Sequence, residues 1–215
     1  MKKTTLKLKT GFLFFLISTF IISCTSNNDN EESKTLIKTG AFLDSAVENL
    51  SYSTATKSGV TNSKGEFEYL EGESITFSIG SLTFPTITAQ EIITPTTLAN
   101  TTEVKNDTAT NIARLLQTLD TDGNPDNGIS IPNEAANFAK QINFSSDIDT
   151  FENNQDVINL VSNSGAINTS LISVVEARSH LTQTINENSN SEIVGAWLVD
   201  NSVIFLFLPD YRYFG

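Results

Sequence analysis

Side chains bearing oxygen recur at every second position in one short stretch of this 215-residue chain: Asp120, Asp122, Asn124 and Asp126, with Gly123 and Gly128 beside them. Carboxylate and amide oxygens on a tightly curving loop are what a hard cation such as Ca²⁺ requires. The same residues also suit a plain helix-ending turn, in which Asp and Asn side chains bond to their own backbone. Both readings stand at this point. His180 is the only histidine, so neither a histidine metal cluster nor a Ser/His/Asp triad with a histidine to spare can be built. It is expected to be an exposed or half-buried helix residue beside Arg178. The pairs Glu66/Glu68, Glu71/Glu73 and Asp147/Asp149 are the residue types of glycoside hydrolysis. With 25 acidic residues in the chain, such pairs arise by chance and mark solvated strand faces and turns. Trp197, Tyr211 and Tyr213 have faces that stack on sugars, though an aromatic in a first strand more often belongs to a core. No catalytic residue is assigned, and the chain is read as a non-enzyme.

These residues must be carried by elements, and the elements begin with a targeting segment. Lys2, Lys3, Lys7 and Lys9 form a basic start, and an apolar run over residues 11–22 follows, too short for a comfortable membrane span. Ile21-Ile22-Ser23-Cys24 closes it and resembles the lipobox of bacterial lipoproteins. That resemblance implies cleavage before Cys24, a diacylglycerol on its sulfur and usually an acylated amine, several chains that together anchor stably. Cys24 is the only cysteine, so no disulfide can form within the chain. Residues 25–33 are polar and acidic, a flexible tether. Acidic residues just after a lipidated cysteine resemble the surface-export signals of some Gram-negative lineages, and they equally suit a solvated spacer. The expectation is an outer-membrane lipoprotein, periplasmic or surface-exposed. The formal net charge is −12, and four of the 13 basic residues precede Cys24. The remainder is therefore more acidic still, repelled by nucleic acid and by anionic headgroups and tolerant of divalent cations.

From residue 36 to about 88 the hydrophobic period is two, clearest where Ile75, Phe77 and Ile79 alternate with Thr76 and Ser78. Turns with Gly65 and Gly72 divide the strands. Asp44-Ser45-Ala46-Val47, then Thr61-Asn62-Ser63-Lys64-Gly65-Glu66-Phe67, then Gly72-Glu73, resemble the carboxypeptidase-regulatory-like (transthyretin-like) module. The resemblance covers about a quarter of the chain and implies a non-catalytic antiparallel β-sandwich of the kind found in adhesins and surface lipoproteins. Pro85, Pro95 and the threonine-rich run around Pro95 are expected to form a connection, and any strand there is expected at an edge, since Pro95 offers no ladder donor. Asp107 is then expected as an N-cap, followed by one apolar stripe of Ile112, Leu115, Leu116 and Leu119 and a helix end near Asp120.

Residues 113–129 resemble a signature shared among similar lipoproteins, a helix running into an Asp-Gly-x-Pro-x-Asn-Gly-Ile loop. The loop is similar to an EF-hand in its oxygen spacing, but Pro125 stands where glycine is needed and Ile131 where a bidentate glutamate is needed, so it is not one. Further helices are expected after Pro132 (Ala135, Phe138, Ala139, Ile142), around Val157, Ile158 and Val161, and from around Thr169–Ser173, where a Ser173/Glu176 capping box and a start at Ser170 are the two alternatives. Gly195-x-Trp197 and the strands after it resemble the opening of a lipocalin-like β domain, which the chain leaves mid-pattern, as a truncated gene would.

The resulting expectation is an α+β protein. It comprises a signal peptide (1–23), a tether (24–35), a β-sandwich (36–105), a helical subdomain (106–186), a linker (187–193) and an incomplete antiparallel β domain (194–215). Its expected role is adhesion or ligand binding by a membrane-anchored lipoprotein, with a glycan or matrix protein as partner and Ca²⁺ at Asp120, Asp122, Asn124 and Asp126 as the candidate cofactor. The alternative is an accessory or catalytic part of a glycan-processing system.

Overall fold

The computed structural model describes residues 36–191 and the strand residues 196–199, 203–207 and 213–214. The signal segment, Cys24, the tether and Tyr211 lie outside the described residues, and Trp197 and Tyr213 are described as strand backbone only.

Alternating apolar residues build the first half. β1 (Ile37–Phe42) will pair with β5, and between them come β2 (Val47–Glu48), β3 (Ser51–Ser53) and β4 (Ser58–Val60). β5 (Glu66–Leu70) lies antiparallel to β1, with Ala41 opposite Glu66. β6 (Ser74–Ile79) pairs antiparallel with β3, β7 (Leu82–Thr83) and β8 (Ile87–Thr88), giving a second sheet with the order β4-β3-β6-β7. In β6, Ile75, Phe77 and Ile79 are buried while Thr76 and Ser78 are half-buried, the period of two seen in the sequence. The two sheets meet through aromatic edges. Phe77 stands edge-on to Phe42 at 5.0 Å and to Phe67 at 5.3 Å, a geometry worth about 0.5–1.5 kcal/mol per pair beyond the area buried.

The sandwich is not purely antiparallel as expected. β9 (Ile92–Ile93) runs parallel to β1, with Ile93 opposite Phe42, and β10 (Ile129–Ser130) runs parallel to β2, with Ile129 opposite Val47. A parallel pair needs a long crossover. The chain from β2 through β8 supplies it for β9, and the chain from β3 through β9 with the first two helices supplies it for β10.

The connection around Pro95 holds a short helix and no strand at Pro95. Pro95 is the first residue of α1 (Pro95–Leu98), where its missing N–H has no partner to lose and its fixed φ suits the turn. Thr94 and Thr97 cap that start reciprocally. α2 (Asp107–Thr118) is capped by Asn106 rather than Asp107: the Asn106 side chain accepts from the Ala109 amide at 3.2 Å. Asp107 sits inside the first turn, where its charge suits the helix dipole. Ile112, Leu115, Leu116 and Leu119 are fully buried, as the stripe requires, but Asn111, Arg114, Gln117 and Thr118 are buried as well. α2 therefore runs through the interior. Its polar heads are held by loop carbonyls and side chains: Asn111 Nδ2 donates to the Phe144 and Ser146 carbonyls at 3.0 and 2.9 Å, and Arg114 Nε to that of Ile172 at 2.9 Å.

A single 3₁₀ turn, Pro125–Asn127, leads into β10. α3 (Ala135–Phe138) is shorter than expected and leaves Ile142 beyond it, still buried. α4 (Ile148–Glu152), unexpected, is capped by Asp147 Oδ1 on the Thr150 amide at 2.9 Å and buries Phe151. α5 (Gln155–Asn163) follows, capped by Asn154. α6 (Val174–Ser191) opens on the Ser173/Glu176 capping box and continues through the polar stretch read as a linker. There Asn188 Nδ2 donates back to the Thr184 carbonyl at 2.7 Å. β11 (Ala196–Val199), β12 (Val203–Phe207) and β13 (Tyr213–Phe214) form an antiparallel three-stranded sheet of their own.

One hydrophobic core runs from Phe42, Phe67 and Phe77 in the sheets through Ile112 and Leu116 of α2 to Phe151 and Leu160. The class is α+β, and sheets and helices share an interior. No described helix is long and apolar enough to cross a membrane.

Candidate functional site

The loop after α2 lies where sheets and helices meet, with one constellation on each of its flanks. Asp120 follows the last turn of α2 and is only 1% exposed. Its Oδ1 accepts from the Ser130 amide at 2.9 Å, closing the loop onto β10. Its Oδ2 is buried and has no hydrogen-bond donor. Burial pushes this carboxyl above its ordinary range, and the neighbouring Asp122 raises it further. Asp122 is held low, first by Asn127 and then by the Asn124 amide. Those bonds are Asn127 Nδ2 to Asp122 Oδ2 at 3.0 Å and Asn124 N to Asp122 Oδ1 at 2.9 Å. Across from them, Glu48 Oε2 accepts from Ser130 Oγ at 3.0 Å. Glu48, Ser63, Asp120, Asp122, Asn127 and Ser130 are among the walls of an open cleft of about 270 Å³, and no Lys, Arg or His lines it.

The other flank is built around His180 on α6. Its side chain is 9% exposed, with Nδ1 3.2 Å from Asp126 Oδ1. Nε2 lies 3.1 Å from Ser45 Oγ and 3.3 Å from the Asp44 carbonyl. Ser45 sits at φ 55°, the left-handed region, in the turn between β1 and β2, and its amide donates to Thr184 Oγ1 at 3.1 Å. Beside it the Asp44 carboxyl is completely buried, and that burial pushes it up to about 7 against the lowering effect of a 2.9 Å bond from Gln117 Nε2. Asp126 and His180 also line a cavity of about 460 Å³ with Gln117, Pro125, Ile172 and Val175.

We find no match to this chain among protein families, curated proteins or solved structures. The site stands on its own geometry.

The four oxygen-bearing residues expected as cation ligands do not act together. Asp120 and Asp122 share the cleft. Asn124 contributes its backbone amide to Asp122 and precedes the 3₁₀ turn, and Asp126 is turned to His180 on the opposite flank. Among the described residues, no three His, Cys, Asp or Glu side chains converge on one metal position. The acidic pairs have structural work: Asp147 caps α4, and Glu73 Oε2 accepts from the Leu70 amide and from Thr54 Oγ1, both at 2.9 Å. Sequence reasoning missed Glu48, Ser45, Asp44 and Gln117. Only long-range packing brings them here, although the Asp44-Ser45 turn and the Gln117-x-x-Asp120 segment both lie in stretches singled out by resemblance.

Proposed function

We propose that this protein is a lipid-anchored, non-catalytic binding protein of the outer membrane, held through Cys24 and engaging a glycan or matrix protein with the face built by residues 44–48 and 120–130. The observation that carries the binding face is the open acidic cleft, whose Glu48, Asp120 and Asp122 carboxylates meet no cationic side chain in its walls. A polar recess of that kind suits ligands rich in hydroxyls or cationic groups. The lipobox supplies the anchor, and the polar stretch after Cys24 supplies reach from the membrane.

Two measurements test this reading. Metabolic labelling with a fatty-acid analogue is expected to mark the wild type and not Cys24→Ala; equal labelling removes the anchor. A glycan and matrix-protein array is expected to retain the protein and to lose it on Glu48→Gln. Retention unchanged in that variant rules out the cleft as the binding face.

One observation favours the catalytic alternative. Ser45, His180 and Asp126 lie in hydroxyl–imidazole–carboxylate order at 3.1 and 3.2 Å, the relay of acyl-transfer nucleophiles. The Ser45 amide, a natural oxyanion donor, is already committed to Thr184, and Ser45 is not among the residues lining the neighbouring cavity. The geometry thus serves equally to tie α6 to two turns, and binding remains the reading adopted. Covalent capture of Ser45 by a fluorophosphonate probe, absent in His180→Ala, would reverse that choice.

A further inference from the structure

We propose that the cleft bounded by Glu48, Asp120 and Asp122 is a calcium site, with Asp120 and Asp122 as direct ligands and Glu48 reaching the ion through water. This deepens the binding face proposed above and rests on it. The ligand set differs from the alternation in the sequence, because it excludes Asp126 and recruits Glu48 from the sandwich.

Three observations lead there. The first is Asp120 Oδ2, an oxygen without a donor on a side chain whose residue is only 1% exposed. A buried carboxylate oxygen without a partner is costly, and a cation is the partner that removes the cost. Asp120 is also among the residues that wall the cleft.

The second is charge. Three carboxylates face a cleft with no Lys, Arg or His in its walls, and among the described residues none of the three is in an ion pair. Two adjacent carboxylates repel each other until a cation or a shared proton intervenes.

The third is orientation. The Asp120, Asp122 and Glu48 carboxylates are each already positioned by a neutral donor: the Ser130 amide, Asn127 with the Asn124 amide, and the Ser130 hydroxyl. Such bonds orient metal ligands while leaving lone pairs free.

No three acidic or imidazole side chains converge within the described residues, which limits the direct carboxylates to two. The cleft of about 270 Å³ has room for the remaining waters. Ca²⁺ accepts such mixed coordination, whereas Mg²⁺ asks for a tight octahedron. Few charged ligands with water completing the shell place the site in the weak, extracellular range, with Kd on the order of 10⁻⁴ to 10⁻³ M.

The test is calorimetric titration of CaCl₂ alone into the full chain, purified in detergent and stripped of metal, alongside the thermal midpoint with and without the ion. One site with Kd in that range is expected, together with a rise in the midpoint as the folded state binds the ion. Asp122→Asn, on an already exposed side chain, is expected to weaken the affinity at least about tenfold, and Glu48→Gln by less. Asp126→Asn is expected to leave the Ca²⁺ affinity as it is in the wild type, whatever it does to the contact with His180. Absence of heat and of any midpoint shift at several millimolar Ca²⁺ would overturn the site, as would loss of binding in Asp126→Asn with retention in Asp122→Asn. Array binding that persists in EDTA would leave the adhesive reading standing while removing calcium from it. Calcium binding with no array ligand would do the reverse.

Discussion

Replacing Asp44 by Asn is expected to flatten the pH dependence of stability. Asp44 is wholly buried, with Oδ2 bonded to Gln117 and Oδ1 without a donor. Its carboxyl is pushed up from an ordinary 3.8 to about 7 by burial. Below pH about 4 it is protonated in both the folded and unfolded chains and contributes no slope. Between about 4 and 7 the unfolded chain releases the proton while the folded one keeps it, so stability falls as pH rises. Above 7 both are ionised and the full penalty is present. A difference of about three pH units at about 1.4 kcal/mol each amounts to roughly 4 kcal/mol. The amide introduced by Asp44→Asn keeps an acceptor for Gln117 but carries no proton to lose. Its unpaired N–H groups also cost stability, so the readout is the slope and not the absolute value. Urea unfolding followed by circular dichroism at half-unit intervals from pH 4 to 8, wild type minus Asp44→Asn, isolates this one group from the other carboxylates. The difference curve is expected to decline by several kcal/mol between pH 4 and 7. Parallel curves for the two proteins would refute the argument, showing that Asp44 is ionised throughout and solvated by something other than Gln117.

Other substitutions separate burial from surface charge. Arg114→Ala is expected to cost about 2–5 kcal/mol, since it empties a buried site and leaves the Ile172 carbonyl without its donor. Glu152→Gln, on a side chain 54% exposed, is expected to cost about 1 kcal/mol or less; equal losses in chemical denaturation would contradict this difference. Asn106→Ala is expected to lower stability by about 1 kcal/mol through loss of the cap, and Asp107→Ala by less; the reverse order would restore Asp107 as the cap. Phe77→Ala, which removes the ring standing against both Phe42 and Phe67, is expected to cost about 3–5 kcal/mol, and a loss under about 1 kcal/mol would mean the two sheets repack without it.

What the sequence revealed and what it hid follow different physics. Strand β6 was legible because one buried face and one half-exposed face impose a period of two on Ile75, Phe77 and Ile79. The apolar stripe of α2 was legible for the same kind of reason. Its other face carries the polar residues Asn111, Arg114 and Gln117, and these are buried as well. Their partners are carbonyls of Phe144, Ser146, Ile172 and Ala177, which no local pattern places. The start of α1 was available in Thr94-Pro95, a capping threonine before a proline at the first helical position. At the site, alternation located Asp120 and Asp122 correctly within one loop. It could not show that Glu48 faces them, nor that Asp126 points to a histidine in another helix, because both depend on how β2 and α6 dock.

The two parallel pairings bear on the order in which the chain can fold. β10 supplies the partner for β2, and the Ser130–Glu48 bond that accompanies it spans 82 positions. A growing or translocating chain therefore holds β2 with an open edge until the helix that precedes β10 has emerged and turned back. Sandwich and helices should then form in one cooperative step, and a chain cut after the last sandwich strand would leave an uncovered edge and half a core. For a chain carried across a membrane before it folds, as the proposed anchor entails, late closure has a use. The folded state is withheld until most of the chain has reached the far side.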